Sequence, residues 1–251
     1  MRSRVLVVGG CGSVGSLVVP WLADRHAVHV LDLRDPVSPV PGVEYSRGDV
    51  HDVGLVTSLA DGVDSLVYMA MGPLSGWEHT ETVVAHLDLA VVGLYSALAS
   101  AHRAGVRHAV YTSSMSVYRL RDTNGEASTD ATYGKWPDET APCDATEPYA
   151  LAKQLGERVC HAASAEWSMD TVCLRLCFPT ADDQWPSRQH QLARHVSTSA
   201  RDTAAALTAA VIYRGHGFAI FHVSGDAAGR VMSLANARDV LHWRPHDQCP
   251  P

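Results

Sequence analysis

VLVVGGCGSVG, residues 5–15, sets three glycines, Gly9, Gly12 and Gly15, between a β-branched apolar run and the first helical stretch. Each place has a physical reason to lack a side chain. The first glycine makes the tight turn out of the strand, the second lets backbone approach a pyrophosphate, and the third lets the helix pack closely. The helix begins at Ser13 and Val14, whose unpaired N–H groups and positive dipole end suit a phosphate. Asp32 then closes AVHVLD (27–32), 17 residues after Gly15. A carboxylate there accepts hydrogen bonds from ribose hydroxyls and repels a 2′-phosphate. The combination predicts a dinucleotide site that favours NAD, and Arg34, two residues on, keeps NADP open.

Working outward, the rhythm of the chain agrees. Strand-like runs are expected at 4–8, 27–32, 43–46, 65–71 and 108–113, with later ones at 171–176 and 219–224. Helical stretches fall between them at 13–24, 52–60, 81–104, 147–166 and 198–214, and Pro20 predicts a kink or early end in the first. Gly105 stands at the C′ position of the long helix. Strands alternating with helices imply βαβ units, hence an α/β fold with a doubly wound parallel sheet covered on both faces. Residues 119–147, rich in Asp, Thr, Gly and Pro, break the rhythm, and a loop of that length is usually functional or mobile. The expected organisation is a dinucleotide-binding Rossmann-like domain over 1–178, rejoined at about 198–224, with a small truncated substrate lobe from 179–197 and 225–251.

Composition narrows the function classes. In 251 residues the formal charge is −7, which argues against nucleic acid as a partner. No stretch reads as a signal peptide or as the roughly 18 apolar residues of a membrane span. The six cysteines include no CxxC pair and suit free thiols in a reducing cytoplasm. The histidines form no metal-site motif, so no metal is expected.

The chain has eighteen arginines and two lysines, Lys135 and Lys153, and Lys153 lies four residues after Tyr149 in EPYALAK (147–153). On a helix the two share a face, one turn apart. An ammonium beside a phenol stabilises the phenolate and lowers its pKa, so the tyrosine exchanges a proton with a carbinol near neutral pH. A compact ammonium also hydrogen-bonds a ribose hydroxyl, which arginine's fork does less well. TSSMSVY (112–118) ends the fifth strand where a parallel sheet opens into its ligand crevice. Ser114 is the expected holder of the substrate oxygen, ahead of Thr112, Ser113 and Ser116.

Taken in order, GGCGSVG with Asp32, SSMSVY and YALAK resemble the extended short-chain dehydrogenase/reductases, the NAD-dependent epimerase/dehydratase group. The similarity runs over nearly the whole chain. It includes Gly48-Asp49-Val50 after the third strand, ARDTAAAL with Asp202 and Ala204, and LHWRP (241–245). The resemblance implies that Ser114, Tyr149 and Lys153 are catalytic and that NAD is the cofactor. It also implies that Asp49, Val50 and Ala70 join the glycines, Asp32, Arg34, Tyr149 and Lys153 in holding it. The implied partner is a small sugar derivative, and the implied assembly a homodimer through helices 81–104 and 147–166.

The chain departs from the group's subfamilies at defined places. Ala90 stands where UDP-sugar epimerases carry an Asn, and RLCFP puts Phe178 where they carry another that contacts substrate. Met115-Ser116 lacks the Asp-Glu pair of the dehydratases. The shortened chain, SGDAAG (224–229) and the LxWxP ending are most similar to uronate dehydrogenases, which oxidise a free sugar acid. Arginines for a carboxylate stand at 119, 121, 175, 188 and 194, and Trp136, Trp185 and Trp243 offer stacking surfaces or core packing. Cys173 and Cys177 read as packing, His79 and His86 as surface or satisfied core. The expected activity is hydride transfer between NAD and a carbinol of a sugar-like molecule. The alternatives are an epimerase with retained cofactor and a non-catalytic dinucleotide sensor.

Overall fold

The computed structural model describes residues 2–118, 138–181, 184, 196–229 and 232–247. Seven parallel strands form one sheet: β1 (Arg4–Val8), β2 (Ala27–Asp32), β3 (Glu44–Arg47), β4 (Ser65–Tyr68), β5 (His108–Ser114), β6 (Asp170–Leu176) and a last strand at Phe218–Val223. Their spatial order is third, second, first, fourth, fifth, sixth, last, so the chain starts at the middle and winds outward in both directions. The fold is the expected Rossmann-like α/β architecture.

β1 shows why both faces must be covered. Val5 and Val7 join a core with Val18 and Leu22 of α1 (Ser13–Ala23), while Leu6 and Val8 join one with Leu94 and Leu98. Alternate side chains point to opposite faces, so a continuous apolar run is the signature of a strand buried on both. Among the described residues the other α-helices are α2 (Val53–Leu59), α3 (Thr80–Asp88), α4 (Leu94–Arg103), α5 (Pro148–Trp167), α6 (Ala200–Ile212) and α7 (Ala235–Asp239). β7 (Pro179–Thr180) and β8 (Thr198–Ser199) make a two-stranded parallel pair outside the main sheet, ahead of the last strand, which is β9. The pair and α7 are too short to leave a periodic signal.

Two helices differ from expectation. α1 runs through Pro20 to Ala23, because Pro20 and Ser16, whose carbonyl it leaves unpaired, both lie on the exposed face. The long helix is interrupted by a π-turn at Leu89–Gly93 between α3 and α4. Tyr68 Oη donates to the Leu89 carbonyl at 2.7 Å, and a Cβ on Gly93 would lie 2.8 Å from the same hydroxyl. The inserted phenol accounts for the widened turn. Gly105 closes α4 at φ +96, as its position predicts.

Against the expectation that no segment reaches a span's length, Thr80–Arg103 is long and apolar enough to cross a membrane by length and mean hydropathy, 1.6. Its apolar residues include Leu94, Leu98 and Ala101, which are buried in the protein's own core.

Candidate active site

The sheet's order reverses between β1 and β4, and there the carboxyl ends of the strands part to leave a crevice of about 820 Å³. Ligands of open α/β sheets bind at such a switch point. Gly9 turns the chain out of β1 at φ +84, and a Cβ on it would lie 2.4 Å from the Ala70 backbone nitrogen. Only glycine fits both constraints. A Cβ on Gly15 would lie 2.3 Å from the Gly10 carbonyl oxygen, so this glycine lets α1 start hard against the turn. Gly12 caps α1 without a side-chain hydrogen bond and lines the crevice with Ser13 and Val14. A backbone cradle free of side chains at a helix N-terminus fits a pyrophosphate.

Asp32 lies at the end of β2 with one carboxylate oxygen accepting from Cys11 N at 2.9 Å and the other from Arg34 N at 3.1 Å. It therefore fixes the glycine turn as well as facing the crevice. Arg34 Nε is 3.6 Å from the same carboxylate, on a largely exposed side chain. Asp49, Val50 and Ala70 line the crevice too. The Asp49 carboxylate accepts from the backbone and ring of His51, and both contacts hold its pKa below the usual range. His51 Nε2 lies 3.0 Å from an Asp88 carboxylate oxygen.

Ser114, Tyr149 and Lys153 come together at the other end of the crevice. Ser114 ends β5, with Tyr149 and Lys153 one turn apart on α5. Of the four Ser and Thr hydroxyls in TSSMSVY, Thr112 Oγ1 donates to the Tyr68 carbonyl and Ser113 Oγ to Glu157 at 2.6 Å. Ser114 Oγ is bonded to Ser116 and contacts the Tyr149 phenol. Lys153 Nζ donates to the Thr112 carbonyl at 2.7 Å and lies 5.7 Å from the centre of the Tyr149 ring. Burial raises the Tyr149 pKa above its ordinary value and outweighs the downward pull of Ser114. The sequence-based expectation was a lowered phenol pKa, and the direction differs because desolvation penalises the charged form more than these contacts favour it.

Burial pushes Lys153 down to about 8 from an ordinary 10.5. Between those values the unfolded chain holds the proton and the folded chain does not, so this lysine makes stability rise with pH across that window. Below it, the buried charge opposes folding by a constant amount. Lys153→Met is expected to remove the rise, read by denaturant unfolding at several pH values. A parallel pH dependence in the variant would refute it.

An aromatic group holds the tyrosine ring. Trp77 and His86 lie 5.9 and 6.0 Å from Tyr149, centre to centre, and 4.3 Å from each other. His86 Nε2 donates to the Pro73 carbonyl at 2.8 Å, and burial lowers its pKa, so it is a neutral core histidine. His79 is exposed. Trp77 carried no sequence signal, because its contact with Tyr149 joins residues 72 apart in the chain.

Of the other candidates, those among the described residues do not line the crevice. Arg175, named for a substrate carboxylate, is buried and clamps Glu157 through Nε and Nη2, each at 2.8 Å. Its guanidinium is also bonded to Tyr118 and Cys143. Its charge is therefore already paired inside the protein. Arg119, Arg121, Arg188, Arg194, Trp136 and Trp185 lie outside the described residues. Trp243 is buried, its indole donating to the Asp202 carbonyl, while the Asp202 carboxylate accepts from His246 N and Asp247 N. ARDTAAAL and LHWRP thus brace each other. Cys173 and Cys177 are fully buried. Among the described residues no three His, Cys, Asp or Glu are grouped to hold a metal.

The model of the NAD dependent epimerase/dehydratase family matches residues 5–242. The chain belongs to that family. It is 36% identical over 121 residues to a 3 beta-hydroxysteroid dehydrogenase/Delta 5-->4-isomerase of Mycobacterium tuberculosis, covering 45% of this chain and 32% of that protein. A UDP-glucose 4-epimerase of Neisseria meningitidis is 28% identical over 184 residues, 66% of this chain and 50% of the relative. The chain thus matches half or less of the length of these curated relatives. The crystal structure of a uronate dehydrogenase from Agrobacterium tumefaciens superposes with a TM-score of 0.77 over 99% of this chain and 86% of that one. At 19% identity, that likeness speaks for the fold.

Proposed function

We propose that the protein is an NAD-dependent oxidoreductase that transfers a hydride between the nicotinamide and a carbinol of a sugar-like small molecule. The observation that carries the reading is the meeting of Ser114, Tyr149 and Lys153 in the same crevice as the glycine turn and Asp32. When bound, NAD supplies the two-electron acceptor for the carbinol hydrogen. The protein's residues hold the substrate and move its proton. Ser114 bonds the carbinol oxygen, and Tyr149 takes its proton as the ketone forms, or returns it in the reverse direction. The Lys153 charge opposes the burial that otherwise disfavours a phenolate. Gly9, Gly12, Ser13, Val14 and Gly15 would hold the pyrophosphate, and Asp32 the adenosine ribose.

In this reading residues 1–178 and about 198–224 carry the cofactor, and 179–197 with 225–251 carry the substrate. It also keeps a cytoplasmic homodimer, assembled through the long helices, as its expected form.

The reading is tested by titrating the purified protein with NAD and NADP, then following nicotinamide reduction on cyclic carbinols. Reversible NAD binding with turnover supports it. Stoichiometric NAD carried through purification supports an epimerase instead, and no binding of either cofactor refutes both. Asp32→Asn halves the acceptor capacity towards the ribose and removes the charge that repels a 2′-phosphate. The NAD over NADP preference is expected to fall by about tenfold, or about 1.4 kcal/mol. Unchanged preference would place cofactor choice elsewhere.

A further inference from the structure

We infer, resting on the reading above, that Trp77 and His86 are positioning residues for the proton transfer: from behind the crevice they clamp the Tyr149 ring and fix where its hydroxyl points. Both rings meet the phenol edge to face, at interplanar angles of 72° and 88°. Perpendicular pairs at this separation are a favoured geometry of aromatic contacts. Lys153 Nζ stands 5.7 Å from the centre of the same ring. These neighbours enclose the body of the side chain and leave its hydroxyl to Ser114 and the crevice. Trp77 and His86 do not themselves line the crevice, so their effect on the chemistry passes through Tyr149.

The clamp is built from the loop between β4 and α3. Gly76 turns that loop at φ +79, and the Trp77 indole donates back to the Leu74 carbonyl at 3.2 Å. His86 comes from α3 and is almost fully buried, its Nε2 donating to the Pro73 carbonyl at 2.8 Å. A Cβ on Gly72 would lie 2.7 Å from the imidazole Cδ2, so the loop rests directly on that ring. Trp77 packs on the imidazole as well, 31° from parallel. The same loop lines the crevice with Gly72, Pro73 and Leu74. One part of it therefore bounds the ligand space while another holds the catalytic ring. Proton transfer needs the phenol within hydrogen-bond reach of the carbinol, and a misplacement of about 1 Å costs about a hundredfold in rate. A single hydroxyl contact with Ser114 leaves the ring free to swing, and the aromatic packing removes that freedom.

The test reads the placement of the phenol without a substrate. Protein carrying tyrosine isotopically labelled at Cζ is followed by NMR, with and without NAD, the Tyr149 signal being the one missing in Tyr149→Phe. Ser114→Ala is expected to move that signal in the parent, because the two hydroxyls touch. Trp77→Leu keeps apolar volume but no ring, so most of that response should disappear, and Trp77→Phe should restore it. Should Trp77→Leu fail to fold, His86→Leu removes the other ring and puts the same question. On a cyclic carbinol that the parent oxidises, Trp77→Leu is expected to lower kcat by about tenfold to a hundredfold. NAD affinity and the KM for the carbinol should stay within about twofold, since the loss lies in the transition state. The inference is overturned if Ser114→Ala leaves the parent's signal unmoved, or if its effect survives intact in folded Trp77→Leu. An equal loss in Trp77→Phe, or an unchanged kcat in Trp77→Leu, would overturn it too. Failure of the parent to bind NAD, or full turnover in Tyr149→Phe, would instead sink the underlying reading and leave the NMR comparison standing.

Discussion

Tyr149→Phe is expected to lower kcat by about 10² to 10⁴-fold, the range of a positioned proton-transfer group, while leaving NAD affinity and folding unchanged. The substitution removes one hydroxyl and keeps the ring that contacts Trp77 and His86. That packing, rather than the phenol's single contact with Ser114, sets the side chain's position. KM should change little, because the lost interaction matters in the transition state more than in binding. Steady-state kinetics beside an NAD titration provides the check. If most of the rate survives, the proton passes through another group, and Ser114 becomes the first to test.

What the sequence made legible, and what it did not, follows from the range over which residues interact. Gly9, Gly12, Gly15 and Asp32 sit within one strand-turn-helix-strand unit, so local spacing carries their meaning, and the chain folds them into one crevice. Tyr149 and Lys153 are likewise one helical turn apart. The π-turn was hidden because its cause, Tyr68, lies 21 residues before Leu89 on a different element. Arg175 and Glu157 are 18 apart across a helix and a strand, and nothing in their spacing distinguished Arg175 from the other arginines. Composition marked it as a cation, and only the fold shows that its charge is already paired. The sign of the Tyr149 shift was illegible for a related reason. Burial is a property of everything packed around the phenol, whereas sequence spacing reported only the lysine beside it.

Arg175→Met is expected to destabilise the protein by about 3–5 kcal/mol, the effect of breaking a buried ion pair by removing one partner. Arg175 is 2% exposed and Glu157 5%, so water cannot replace the lost contacts. Burial pulls the Arg175 pKa down, but the hydrogen bonds and charge of Glu157 raise it more, so the guanidinium keeps its charge in the folded state. Without the guanidinium, Glu157 keeps, among the described residues, the Ser113 hydroxyl at 2.6 Å. Tyr118 loses its bond from Arg175 and retains His222, whose Nε2 is 2.8 Å away. The damage sits beside the site, because Ser113 adjoins Ser114, and Glu157 lies one turn beyond Lys153 on α5. Glu157 also raises the Lys153 pKa, although burial dominates that group. Denaturant unfolding of Arg175→Met, Glu157→Leu and the double variant separates the terms. The double variant should lose less than the single changes summed, since neither charge is then left unpaired in the interior. A loss below about 1 kcal/mol in Arg175→Met, no more than an average substitution, would mean that the pair is not what holds α5 to β6.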